Sequence, residues 1–280
     1  MDNMISSRLA KKIYAVLFSV FLWGPVAILP EMADAQILDV DQLTLHIDSI
    51  HQHQLYGNIK AGLDLNESQT HVLHFTSSSS ASYFMKKDVL MLLAQFGLTR
   101  TGKTNVWDAG YTHLRYRMDY NQKISPEFYA QYQYDGILGM KSRWLAGSNL
   151  RFELKRDSLT MIYLSGGIFY EREKWNTGVV NTAVNPADQY ILRNKIKINS
   201  SFKFTRRITD NSDFVFINYL QFVPDKDIIY PRIAPSMQLD IQMSKHLQFQ
   251  VAFDGLYDFR PVIPIDRFYY SITNQLVYNL

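Results

Sequence analysis

The residues of this sequence best equipped for chemistry are charges that keep one residue between them. Arg115 and Arg117, Arg151 and Glu153, Glu171 and Glu173, and the run Arg193, Lys195 and Lys197 share this spacing, and Arg143 stands in a similar alternating stretch. In an extended chain, residues two apart point to the same side. A ring of such charges inside a closed sheet can select the solutes that pass through it. Because both signs are present, the same side chains can instead pair with one another and fill the interior. The pairing network is the favoured expectation, and a narrow charge-lined pore is its rival.

Histidines and serines offer other chemistries. His46, His51 and His53, with Asp48 near, could ligate a metal, but they lie in a tail with no defined geometry, and a solvated tail is expected. Acyl transfer needs a nucleophile and a base brought together. His71, His74 and His113 fall in predicted strands, and His113 shares its face with Arg115 and Arg117. No serine–histidine motif accompanies them. Ser77 to Ser80 reads as a strand end entering a turn, and Asn66-Glu67-Ser68 matches a glycosylation sequon by chance. The sequence therefore predicts no catalytic residue, no metal and no cofactor. Cysteine is absent, which removes thiol catalysis, thiolate metal sites and disulfides. The net charge of +3 comes without a basic block, so nucleic acid is not an expected partner.

The elements that position these residues are strands. From Leu192 to Phe204, Leu192, Ile196, Ile198, Phe202 and Phe204 fall on one face with Asn194 and Ser200, whereas Arg193, Lys195, Lys197, Asn199, Ser201 and Lys203 fall on the other. Only a period of two segregates them so. Strands are expected at about 57–66, 70–77, 88–98, 106–120, 127–136, 143–156, 159–172, 189–204, 213–223, 232–244, 247–258 and 267–280. Many reach the ~9 to 11 residues that a tilted strand needs to cross a bilayer. About twelve antiparallel strands, an even number, and connections alternating between tight and long suggest a closed transmembrane β-barrel. Ser78 to Lys87 is long for the tight side, and Glu67 to Gln69 is short for the other. Val89 to Phe96 and Phe214 to Phe222 are apolar on both faces. The expected reason is an interior packed locally with apolar side chains, and a subunit contact is the alternative.

The N-terminus reads as an export signal. Arg8, Lys11 and Lys12 precede an apolar run from Ile13 to Leu29, interrupted by Gly24 and Pro25, and Ala33-Asp34-Ala35 precedes Gln36. That order fits a signal peptide cleaved between Ala35 and Gln36. The expected organisation is a signal peptide over 1–35, a periplasmic tail over 36–56 and a barrel over 57–280. No later stretch is apolar for the ~18 to 20 residues of a spanning helix. An aromatic content of 14% suits two membrane interfaces. Ile272, Leu276, Tyr278 and Leu280 form one face of the last strand, as a C-terminal insertion strand would.

Several stretches together resemble the family of salt-induced outer-membrane proteins, a domain of unknown function, in its Bacteroidetes group. They are Gln36-Ile37-Leu38-Asp39-Val40, Phe128 to Tyr134, Arg143 through Gly147 to Arg151, Tyr170-Glu171-Arg172-Glu173, Gln221 through Pro224 to Arg232, and Tyr257-Asp258 before Pro261. The resemblance implies an outer-membrane barrel and brings no activity with it. The expected role is a structural envelope barrel or a narrow small-solute channel, with a lipid-modifying, phospholipase-like enzyme as the alternative. The expected partners are outer-membrane lipids and, during insertion, the barrel-assembly machinery. Mass spectrometry of envelope-extracted protein should find Gln36 as the first residue; retention of Met1 to Ala35 would contradict the cleavage site.

Overall fold

The computed structural model describes residues 54–67, 71–101, 104–136, 138–179, 190–225 and 229–279. Its strands are β1 (Gln54–Glu67), β2 (His71–Phe84), β3 (Val89–Thr101), β4 (Thr104–Arg117), β5 (Ile124–Asp135) and β6 (Met140–Arg156). They continue with β7 (Thr160–Asn176), β8 (Tyr190–Thr209), β9 (Ser212–Phe222), β10 (Arg232–Gln242), β11 (Leu247–Asp258) and β12 (Phe268–Asn279). Each strand pairs antiparallel with its sequence neighbour, and β1 pairs with β12 through Asn58↔Asn279 and Ile59↔Tyr278. The result is a closed antiparallel barrel, with the β1–β12 seam the shortest of its strand pairings.

The alternation in sequence becomes an inside and an outside. On β8, Lys197, Asn199, Lys203 and Thr205 are buried, while Ile196 and Phe202 face out. Leu55, Ile59, Trp144, Ile168, Ile196, Ile272 and Leu276 are each more than half exposed. A water-facing surface does not carry so broad an apolar face. It is a wall built to meet hydrocarbon, with polar residues turned inward. Outward aromatics stand towards both ends, with Tyr83, Phe152 and Tyr278 near one and Trp144, Phe268 and Tyr270 near the other. Tyr132 and Trp144 pack with ring centroids 4.5 Å apart, and Phe268 stacks on Tyr270. Rings at these heights suit the two membrane interfaces.

The longest connections all lie at one end. At the end that holds the start of β1 and the finish of β12, residues 85–88, 118–123, 157–159, 210–211 and 243–246 make tight turns. Asp157 caps one of them, its Oδ1 accepting from the N–H groups of Leu159 (3.0 Å) and Thr160 (2.7 Å). Asp88 ties two of the turns together by accepting from Tyr116 Oη (2.5 Å) and from the Asp119 N–H (3.0 Å). These bonds, that from Tyr116 first, hold the Asp88 carboxyl below its usual 3.8. Its contribution to stability is therefore complete above that value and fades as the pH falls through the lowered one. The opposite end carries the longest connections, 177–189, 223–231 and 259–267, together with short links at 68–70, 102–103 and 136–139.

Two glycines allow side chains to cross neighbouring strands. A Cβ at Gly147 would lie 2.5 Å from Phe169 Cβ, and one at Gly167 would collide with the Ser148 carbonyl oxygen and Asn149 Oδ1. Phe169 and Asn149 thus lie across β6 and β7 because those positions have no side chain.

Several strand boundaries differ from expectation: β4 ends at Arg117, β7 runs on to Asn176 and β8 to Thr209. Ser77 to Ser80 do not end a strand. They sit in the middle of β2 and pair with Phe96, Gln95, Ala94 and Leu93 of β3. Four serines carry no hydropathy alternation, so their strand is invisible in sequence, yet cross-strand hydrogen bonds do not depend on side-chain type. The connection expected over 78–87 accordingly shrinks to 85–88, which removes the misfit on the tight side. The barrel begins at Gln54, ahead of the expected Gly57. The apolar inner faces do pack inside. Val89, Met91 and Leu93 join Phe84 and Tyr120, and Val215, Ile217 and Tyr219 join Met140, Trp175 and Leu256.

Ile198 pairs with Ile168 and Phe222 on the outer wall. Replacing it by Arg should lower barrel stability by about 2 to 4 kcal/mol, the usual cost of a charge at mid-bilayer depth, measured by denaturant unfolding in lipid vesicles.

Candidate functional site

The interior brings the predicted charges together. Arg143 on β6 donates from Nε to Glu171 Oε1 on β7 (2.6 Å) and from Nη1 to Gln133 Oε1 on β5 (3.2 Å). Lys197 on β8 forms a close ion pair with the same Glu171. Two residues along β7, Glu173 lies 3.5 Å from Arg143 Nε. Arg232 on β10 then reaches over the inner faces of β8 and β9, placing Nη1 3.5 Å from Glu173 and 3.7 Å from Glu171. It also donates to Asp258 on β11, from Nη2 at 2.7 Å and Nε at 3.0 Å. Arg143, Lys197 and Arg232 thus face Glu171, Glu173 and Asp258, so the cluster is neutral.

A second group occupies the part of the lumen nearer the tight turns. Arg117 Nε donates to Glu127 Oε1 (2.5 Å), and Arg115 lies 3.6 Å from the other oxygen of Glu127. His113 is buried, bonded through Nδ1 to Gln131 Oε1 (2.8 Å) and stacked on Tyr129 at 5.8 Å. Tyr129 in turn accepts from Asn199 Nδ2 (3.3 Å), a bond from β5 to β8 that skips two strands. The Arg151 guanidinium covers the Tyr163 ring at 3.5 Å. Glu153 pairs with Arg156 at 2.8 Å and is less deeply buried. Lys195 pairs with Asp225 at 3.1 Å, part-exposed at the long-loop end, and Arg193 is half-buried. A further chain runs from Gln238 through Asp240 and Gln250 to Gln275.

Apolar side chains close in from the long-loop end. Ile263, in the connection between β11 and β12, is buried with Leu138, Met140, Trp175 and Leu256, and Val262, Ile265 and Tyr269 pack against them. A small cavity separates this cap from Arg143, Glu173, Arg232 and Asp258.

Sequence reasoning missed Glu127, Arg232 and Asp258 as interior charges. Glu127 shares a face with Gln131 and Gln133, a signal that parity along β5 carries. Arg232 and Asp258 sit at strand ends, where alternation stops being readable. Ile272, Leu276 and Tyr278 face outward on β12. Leu280, Ala35, Gln36, His46, His51 and His53 lie outside the described residues.

A family model described as a protein of unknown function, DUF481, matches residues 59–278. The chain belongs to the DUF481 family. No curated protein matches it. Among solved structures, the NanC porin is similar at 12% identity over 80% of this chain and 98% of that one, with a TM-score of 0.42. The translocator domain of the autotransporter NalP from Neisseria meningitidis is similar at 7% identity, over 86% and 97%, with a TM-score of 0.41. The CymD monoaromatic hydrocarbon channel follows at 9% identity, over 86% and 92%, with a TM-score of 0.40. Likeness at this level says nothing of what this DUF481 barrel carries.

Glu171 is the carboxylate on which three cations of this DUF481 barrel converge. Glu171→Gln should cost about 3 to 5 kcal/mol in vesicle-based denaturant unfolding, because it leaves buried cations uncompensated. Glu153→Gln, whose ion pair is partly solvated, should cost less than about 1 kcal/mol.

Proposed function

We propose that this protein is a structural barrel of the bacterial outer membrane whose lumen is closed by its own ion pairs. The supporting observation is the neutral cluster of Arg143, Lys197 and Arg232 with Glu171, Glu173 and Asp258, which joins inner faces from β6 to β11. A conducting pore keeps its selecting charges available to the passing solute. Here each charge is engaged by another within the wall, and Ile263 with its neighbours covers the cluster. The membrane assignment rests on the apolar outer face and on the closure of the sheet into a barrel. The outward residues of β12 are the part the assembly machinery would meet during insertion.

A narrow small-solute channel is the rival reading, and conductance separates the two. Purified protein in planar bilayers should leave the membrane at its baseline conductance. The double variant Arg232→Ala with Glu173→Ala, which deletes one cation and one anion from the cluster, should produce discrete conductance steps. Steady steps from the unmodified protein would favour the channel. The lipid-modifying reading needs a histidine on the lipid face, and His113 lies in the lumen.

A further inference from the structure

The stretch Tyr170-Glu171-Arg172-Glu173-Lys174 does two jobs at once. Its carboxylates point inward to the ion-pair cluster, so its cations point outward. On the outer wall Arg172 sits between Trp144 on β6 and Asn194 on β8, and Lys174 between Ser142 and Leu192. Residues two apart on one strand face lie roughly 7 Å from each other. Lys141 adds a third exposed cation beside the irregularity where β6 meets β7. None of the three is ion-paired among the described residues. Lys174 instead rests its ammonium over the Tyr190 ring at 4.4 Å, and Tyr170 Oη donates to Asn194 Oδ1 at 3.1 Å.

What lies next to the patch limits its occupant. Along β7 the outward residues before Arg172 are Leu164, Ile168 and Tyr170, all exposed, and Trp144 adjoins them. The cations therefore sit within the aromatic fringe of the hydrocarbon-facing wall, Arg172 beside Trp144 and Lys174 beside Leu192 and Tyr190. A soluble anion gains nothing from that wall, whereas a phosphate attached to acyl chains meets both surfaces together. We propose that Lys141, Arg172 and Lys174 bind the phosphate of a lipid headgroup in the leaflet at the long-loop end. The proposal rests on the reading of the protein as a membrane barrel. A cation near an anionic lipid surface strengthens association roughly fivefold, so three together give at most about a hundredfold.

Trp144 is the built-in reporter, exposed and directly opposite Arg172. Barrels would be folded into phosphatidylcholine vesicles containing either brominated lipid A, a diphosphorylated glycolipid, or brominated phosphatidylcholine at equal bromine content. The Trp144 signal is the difference between the unmodified protein and Trp144→Phe. Lipid A should reach Trp144 with at least about tenfold preference over phosphatidylcholine, and the preference should vanish in Lys141→Gln/Arg172→Gln/Lys174→Gln. Heat-modifiable gel mobility confirms that each variant is a folded barrel. Equal quenching by both lipids, or a preference that survives the triple substitution, overturns the proposal. So does loss of the preference on adding inorganic phosphate, which would make the patch a general anion site. Failure of the unmodified protein to insert would instead overturn the barrel reading beneath it.

Discussion

Everything in this molecule follows from one constraint: in hydrocarbon, a backbone N–H or C=O can find a partner only within the protein. An open sheet leaves two edges unsatisfied, so the chain must return to its beginning. The contact that achieves this is the β1–β12 seam, with Ile59 against Tyr278. Once the sheet is closed, its pleat divides every strand into lumen and lipid faces, and a slip of one residue would exchange them. The side chains then have no freedom about where their polarity goes.

Closure also creates the problem that the charges solve. Twelve strands enclose a lumen too wide for backbone contacts to fill, and that lumen must hold side chains or water. In this chain one charged cluster fills the lumen towards the long-loop end and another lies nearer the tight turns, with apolar side chains packed beside each. Arg232 and Tyr129 matter because their bonds skip strands, to Glu173 and to Asn199, and so brace parts of the wall that are not neighbours. Gly147 and Gly167 contribute by absence, giving Phe169 and Asn149 room to lie flat. The same β7 alternation that sends Glu171 and Glu173 inward leaves Arg172 and Lys174 in the aromatic fringe of the apolar wall. Interior neutrality and an exterior basic patch are two sides of one strand.

The strand count, the antiparallel order and the orientation of most faces were legible in the sequence, because period-two segregation leaves no other reading for stretches such as Leu192 to Phe204. The inward placement of Arg115, Arg143, Glu171 and Lys197 could be read the same way. The partnerships could not. That Arg232 meets Glu173 depends on the stagger of strands around the barrel, which no local pattern encodes. Ser77 to Ser80 hid half a strand because serine sits equally well in a turn and in a ladder, and the burial of Ile263 depends on how a connection folds back over the lumen.

One face of each strand meets lipid and the other meets a filled interior, and labels placed on both faces of one strand test this directly. The absence of cysteine from the sequence permits single spin labels at any position. Ile196→Cys, Ile198→Cys, Asn199→Cys, Ser201→Cys and Phe202→Cys would be labelled and reconstituted in bilayers. Accessibility would be read by electron paramagnetic resonance to oxygen, which concentrates in lipid, and to a water-soluble nickel chelate. Oxygen accessibility should be high at 196, 198 and 202, and accessibility to both reagents should be low at 199 and 201. High nickel accessibility at 199 and 201 would mean an open, water-filled lumen, and loss of the alternation would mean that the faces are assigned wrongly.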